Sequence, residues 1–173
     1  MTDLSEPLPA TKRELLDRIE RARAALARVV GGLSHGQIVA PGPDGGWSVK
    51  DHLAHLAAWE AGMAALLQRR PRYPAMGVGD AYLTAGEDAI NDMIHERSKG
   101  RPPAEVLADL RKAQQELLAS LAGLTDADLL KTYSHYQPDE PGEDSGEPIL
   151  KWIASNTYEH YVEHGEWIEA LVG

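Results

Sequence analysis

Between Leu150 and Leu171 the chain places Leu150, Ile153, Thr157, His160, His164, Trp167 and Leu171 at spacings of three and four without a break. That period is the signature of one helix face, so the segment from about Ile149 to Leu171 is expected to be a long amphipathic helix. Three further stretches repeat the pattern. Leu15, Ile19, Ala22, Leu26 and Val29 follow the Thr11-Lys12-Arg13-Glu14 start signal and stop at Gly31-Gly32. Val49, Leu53, Leu56, Trp59, Met63 and Leu66 follow Ser48 and run to about Gln68, with Pro71 and Pro74 beyond. Val106, Leu107, Leu110, Leu117 and Leu121 follow Pro102-Pro103 and end at Gly123.

Four such stripes and no alternating-period strand predict an all-α chain, an antiparallel four-helix bundle formed as one domain over residues 1–173. A shorter helix is expected over about 85–98, and Thr125 is placed to cap one more turn. The segments 33–46, 71–84 and 131–148 are rich in Gly and Pro and are expected as loops, the last two within long connections that cross the bundle ends.

Composition removes several kinds of chemistry. Cysteine is absent, so there is no disulfide, thiolate ligand or cysteine nucleophile, and thiol chemistry would need a thiol on the substrate. The net charge is −10, with Lys and Arg dispersed among acids, which makes nucleic acid an unexpected partner. No apolar run is long enough to span a membrane. The MTDLSEPLPATKRE start has neither a basic nor an apolar leader region, and the expected location is cytoplasmic. A homodimer is compatible with the sequence.

His160 and His164 are the unusual members of their stripe. At i and i+4 their rings lie one above the other, the spacing that lets two helical imidazoles grip one cation. Without a cation, each buried ring nitrogen needs a hydrogen-bond partner. A metal would need a third ligand, and the second stripe offers His52 and His55. On a helical wheel His52 falls near the stripe's centre and His55 toward one edge, so periodicity prefers His52.

The segment Trp47-Ser48-Val49-Lys50-Asp51, followed by His55-Leu56 and Trp59-Glu60, belongs with Asn156-Thr157-Tyr158-Glu159-His160 and Glu163-His164. Together these resemble the DinB/YfiT-like superfamily, and within it the ClbS/DfsB-like branch. The stretch from Asp88 to Asp109, with Arg101-Pro102 and Glu105-Val106-Leu107, extends the likeness in softer form. The resemblance implies a four-helix bundle holding a divalent ion with His55, His160 and His164. His52 then stands where relatives usually have an apolar residue, and its expected role is packing.

The ion implied is Zn, Ni or Fe(II), with Mn or Co also compatible with imidazole ligands. Relatives with all three histidines are linked to thiol transfer and to hydrolysis of small molecules, often in detoxification or stress response. Some members of the ClbS/DfsB-like branch lack the complete triad, so the alternative is a metal-independent resistance or small-molecule-binding protein. Either way a small molecule is the expected partner.

The remaining candidates are less specific. Trp47, Trp59, Trp152 and Trp167 all belong to the second and fourth helices or their lead-in and imply an aromatic wall, with Trp47 and Trp152 expected to fill core. Glu60, Glu163 and Asp51 could orient a ligand or act as a base, although carboxylates on helix faces are usually solvated. Tyr161 and Asn156 flank the seam as candidate substrate donors.

Overall fold

The computed structural model describes residues 6–79, 86–140 and 145–173. Four long helical units form the bundle: α1 (Lys12–Gly31), α3 (Val49–Leu67), α6 (Pro103–Ala122) and the α9/α10 pair (Ile149–Ser155 and Tyr158–Val172). Between them lie short helices α2 (His35–Val39), α4 (Arg72–Ala75), α5 (Glu87–Ser98), α7 (Asp126–Leu129) and α8 (Tyr133–Tyr136). Among the described residues there is no β-strand, only a single bridge between Thr132 and Pro148. The all-α four-helix bundle expected from the stripes is the architecture found.

Start signals act largely as the chemistry requires. Thr11 accepts from the Glu14 amide, while the Glu14 carboxylate reaches the Ala10 amide and Arg18 rather than closing the box on Thr11. Ser48 and Asp51 form a complete capping box at α3, and Thr125 and Asp128 form another at α7. Pro103 occupies the first turn of α6, where its missing amide costs nothing.

Leu15, Ile19, Leu53, Leu56, Met63, Leu66, Leu117, Leu121 and Ile153 join one core, each fully or almost fully buried. A buried side chain of this kind contributes roughly 1.5–3 kcal/mol. The main pairings are α3 with α6 and α1 with α10, and α3 also touches α2, α4, α5 and α10. Helix α3 is therefore surrounded, and both its histidines are buried. A second, smaller cluster of Tyr73, Met76, Val78, Ile90 and Ile94 packs α4 and α5 over Ala58 and Trp59. Lys50 fastens α5 to α3: its buried ammonium donates to the carbonyls of Ser98, Lys99 and Arg101 at 3.3, 2.7 and 3.2 Å.

Three expectations need correction. The fourth stripe is not one helix, because the chain breaks at Asn156 and Thr157 (φ −130, ψ −103). There the Thr157 hydroxyl takes the Ile153 carbonyl while the Thr157 backbone N–H turns to Ala154, and the Asn156 side-chain amide joins its own backbone N–H on the Trp152 carbonyl. The segment 33–46 contains α2 behind a Ser34–Gln37 capping box, and a 3₁₀ turn over Pro43–Gly45. The expected loops 71–84 and 131–148 contain α4 and α8; residues 80–85 and 141–144 of those stretches, with the first residue of the expected 85–98 helix, lie outside the described residues.

Candidate metal centre

Four imidazoles meet where α3 crosses α10. The Ser48–Asp51 cap fixes the first turn of α3, and His52 and His55 follow within the next turn. The break at Asn156 and Thr157 lets α10 restart with His160 and His164 facing them. His55 Nε2 lies 3.0 Å from His160 Nε2, and His52 Nδ1 lies 2.9 Å from His164 Nδ1. The rings of His55 and His164 stack at 4.7 Å, and those of His160 and His164 meet edge to face at 4.6 Å.

One nitrogen from each of His55, His160 and His164 falls within a set whose members all lie within 4.8 Å of one another. The structure thus brings together the three residues the resemblance points to. It also draws in His52, which the resemblance sets aside. The wheel treats α3 as having one inward face; with neighbours on several sides, positions 52 and 55 are both interior.

Burial keeps these rings neutral. Desolvation lowers the His55 pKa to about 3, with His160 and His52 adding to the effect, and lowers His160 to about 4. Desolvation also pushes His52 and His164 down, the latter helped by the neighbouring imidazoles. Neutral imidazole is the form that offers a lone pair to a cation.

The residues suit a borderline divalent ion in the spacing of their nitrogens. Two nitrogens sharing a tetrahedral ion at about 2.0–2.1 Å lie roughly 3.3 Å apart, close to the 3.0 Å of the His55–His160 pair. Their outer nitrogens, His55 Nδ1 and His160 Nδ1, are buried without a hydrogen-bond partner among the described residues.

Aromatic rings enclose the cluster. The Trp47 ring lies 5.4 Å from His52, 5.2 Å from His55 and 5.8 Å from His95, and Trp167 lies 4.8 Å from His164 and 5.8 Å from His52. Trp47 is thus a wall of the site rather than core filling. Trp167 is 47% exposed, an apolar plate open to solvent beside a buried imidazole. Trp59 contacts His55 and donates its indole N–H to Asn91. Trp152 packs on Tyr133 and, as expected, beside the core.

The acidic candidates separate cleanly. Asp51 is committed to the α3 cap and sits 3.6 Å from His95 Nε2, while Glu163 is exposed. Glu60 is 1% exposed and accepts a hydrogen bond from the Tyr161 hydroxyl, so these two satisfy each other. Asn156 donates to backbone at the break. Sequence reasoning missed Arg72, 2% exposed, whose guanidinium lies over the rings of Trp59, Tyr73 and Trp152 at 5.3, 5.5 and 5.3 Å. Its position between Pro71 and Pro74 reads as loop, and no sequence signal marked it.

The pattern of the mycothiol maleylpyruvate isomerase N-terminal domain matches residues 19–153. The chain belongs to that family. The matched stretch includes His55 and ends before α10, which carries His160 and His164. No curated protein matches the chain by sequence.

Solved structures share the family's bundle. The colibactin self-resistance protein ClbS, solved in complex with a double-stranded DNA, superposes with a TM-score of 0.71 at 15% identity, over 95% of this chain and 97% of that one. The sibling lethal factor precursor DfsB gives 0.67 at 17% identity over 92% and 94%. A protein from Streptococcus pneumoniae gives 0.72 at 14% identity over 92% and 89%. With the family match, these show the DinB/YfiT-like fold, which the chain shares with ClbS and DfsB.

Proposed function

We propose that the chain binds one divalent ion through His55, His160 and His164 and uses it in thiol transfer or hydrolysis on a small molecule. The observation that supports this reading is the convergence of three desolvated, neutral imidazoles from two helices, His55 and His164 buried and His160 partly so, with one nitrogen of each within 4.8 Å of the others. A divalent ion held by three imidazoles keeps open positions and acts as a Lewis acid that activates a water or a thiol. The chain's own residues do the rest. The imidazoles stay neutral because they are buried, Trp47 and Trp167 exclude water from the sides, and the exposed face of Trp167 offers an apolar surface to an arriving substrate.

A thiol cosubstrate accords with the family's name and with the chain's lack of cysteine. Nucleic acid is not part of this reading: the DNA complex belongs to ClbS, and the net charge of −10 here opposes a phosphate backbone. No described helix is long and apolar enough to cross a membrane.

The second reading is a metal-independent resistance or binding protein in which the tryptophan-walled space holds an electrophilic small molecule. The fold shared with a self-resistance protein and the solvent-facing Trp167 favour it. Metal analysis of protein purified without a His-tag separates the two. The expected result is about one divalent ion per chain; protein that stays metal-free after growth in metal-supplemented medium sinks the first reading and leaves the second.

A further inference from the structure

Of the four imidazoles, three converge and one stands behind. His52 is 8% exposed, and the hydrogen bond of its ring joins Nδ1 to His164 Nδ1 at 2.9 Å. Trp47 and Trp167 hold its ring from two sides. An N···N hydrogen bond carries one proton, and a neutral imidazole has one N–H to give. Only two arrangements are therefore available to the pair.

In the first, His52 donates from Nδ1, and His164 must then carry its own proton on Nε2. That nitrogen has no lone pair for a cation. In the second, His164 donates from Nδ1 and keeps Nε2 bare, while His52 accepts and carries its proton on Nε2. Only the second leaves His164 a ligand. We infer that His52 is a positioning residue that accepts the Nδ1–H of His164, holding that ring in the tautomer and orientation that present Nε2 to a divalent ion.

The inference rests on the metal reading above. Metal-ligating histidines commonly donate their other N–H to an outer acceptor, which fixes the ring and strengthens the ligand. Here a neutral imidazole fills that role. The contrast with the other ligands sharpens the point: the Nδ1 atoms of His55 and His160 have no partner among the described residues, so His164 is the ligand with an anchored outer nitrogen. It also changes the role expected for His52 from packing alone to a polar contact that packing cannot replace.

The test uses Co(II) as the probe on the full chain. Affinity is measured by competition with a chromophoric chelator, the ligand-field spectrum is recorded, and thermal unfolding is followed in parallel. His52→Leu fills similar space without an acceptor, and is expected to weaken Co(II) on the order of 10–100-fold and to shift the ligand-field bands. His52→Asn puts an amide oxygen near the place of Nδ1, and is expected to restore affinity to within a few fold. Equal affinity in wild type and His52→Leu overturns the inference, as does equal loss in the Leu and Asn variants.

A second measurement needs no variant. Nitrogen-15 correlation spectra of the Zn(II)-loaded wild type are expected to show His164 protonated at Nδ1 and His52 at Nε2. The opposite tautomers, or a metal-bound shift on His52 itself, overturn it. Wild-type protein that binds neither Co(II) nor Zn(II) brings down the metal reading itself, a result distinct from wild type that binds while His52→Leu binds equally well.

Discussion

Two polar contacts join α3 to α10, and they solve burial in opposite ways. At one, the Tyr161 hydroxyl donates to the Glu60 carboxyl, and each group meets the other's need. At the other, four imidazoles crowd together in two nitrogen pairs 2.9 and 3.0 Å apart, with the outer nitrogens of His55 and His160 unpartnered among the described residues. Burial acts on both in the same direction, against charge. It raises the Glu60 pKa to about 8 and lowers His55 to about 3 and His160 to about 4. A closed pair is what a structural polar contact looks like, whereas several neutral imidazole nitrogens from two helices converging on one point are what a ligand site looks like.

If that contrast is sound, the two contacts should respond to different losses. His160→Ala and His164→Ala should each abolish retention of the divalent ion, measured as metal content after purification, while helical circular dichroism persists. The bundle's core is large enough to hold without a cation. Collapse of helicity on chelation would mean that the ion is structural and that the histidines belong with the folding contacts. Tyr161→Phe should behave in the reverse manner. It strands a buried Glu60 carboxyl and should cost about 1–3 kcal/mol in urea unfolding, with metal affinity unchanged. Loss of metal in that variant would erase the distinction between the two contacts.

The sequence carried the bundle further than it carried the site. The apolar stripes of α1 and α6 are buried at Leu15, Ile19, Leu26, Val106, Leu110, Leu117 and Leu121, because period alone fixes which face an outer helix turns inward. Helix α3 is the exception. It is buried on most sides, so a wheel could not decide between His52 and His55, and the resemblance to relatives supplied the expectation for His55. The break before α10 was invisible to periodicity because Asn156 and Thr157 do not disturb the spacing; the Thr157 hydroxyl diverts the Ile153 carbonyl instead. Trp47 and Arg72 owe their places to tertiary packing, of Trp47 on three imidazoles and of Arg72 on three aromatic rings, and no local pattern announces that.

The smallest expected effect is the most specific, since it sets the two contacts against each other on one pH axis. For metal-free protein the histidines take protons less readily folded than unfolded, where their pKa is near 6.5. Below that value the unfolded chain gains protons that the folded chain refuses, so stability falls as pH drops from about 6.5 toward the folded values near 3 and 4. Glu60 has the opposite sign. Folded, it keeps its proton up to about 8, while unfolded it releases it near 4.5, so its contribution is full below 4.5 and is lost as pH rises to 8. Below 6.5 several imidazoles outweigh the raised carboxyls; above 6.5 Glu60, whose folded pKa reaches about 8, leads, and the raised Glu159 carboxyl acts in the same direction. Stability should therefore peak near pH 6.5 and decline up to pH 8, with Glu60 contributing at most about 1.4 kcal/mol per pH unit. Glu60→Gln keeps an acceptor for Tyr161 but has no proton to lose. It should flatten the decline between pH 6.5 and 8 in urea unfolding and leave the acid limb in place. A variant whose profile runs parallel to wild type across that window would show that Glu60 is charged in the folded chain and that burial does not govern this contact.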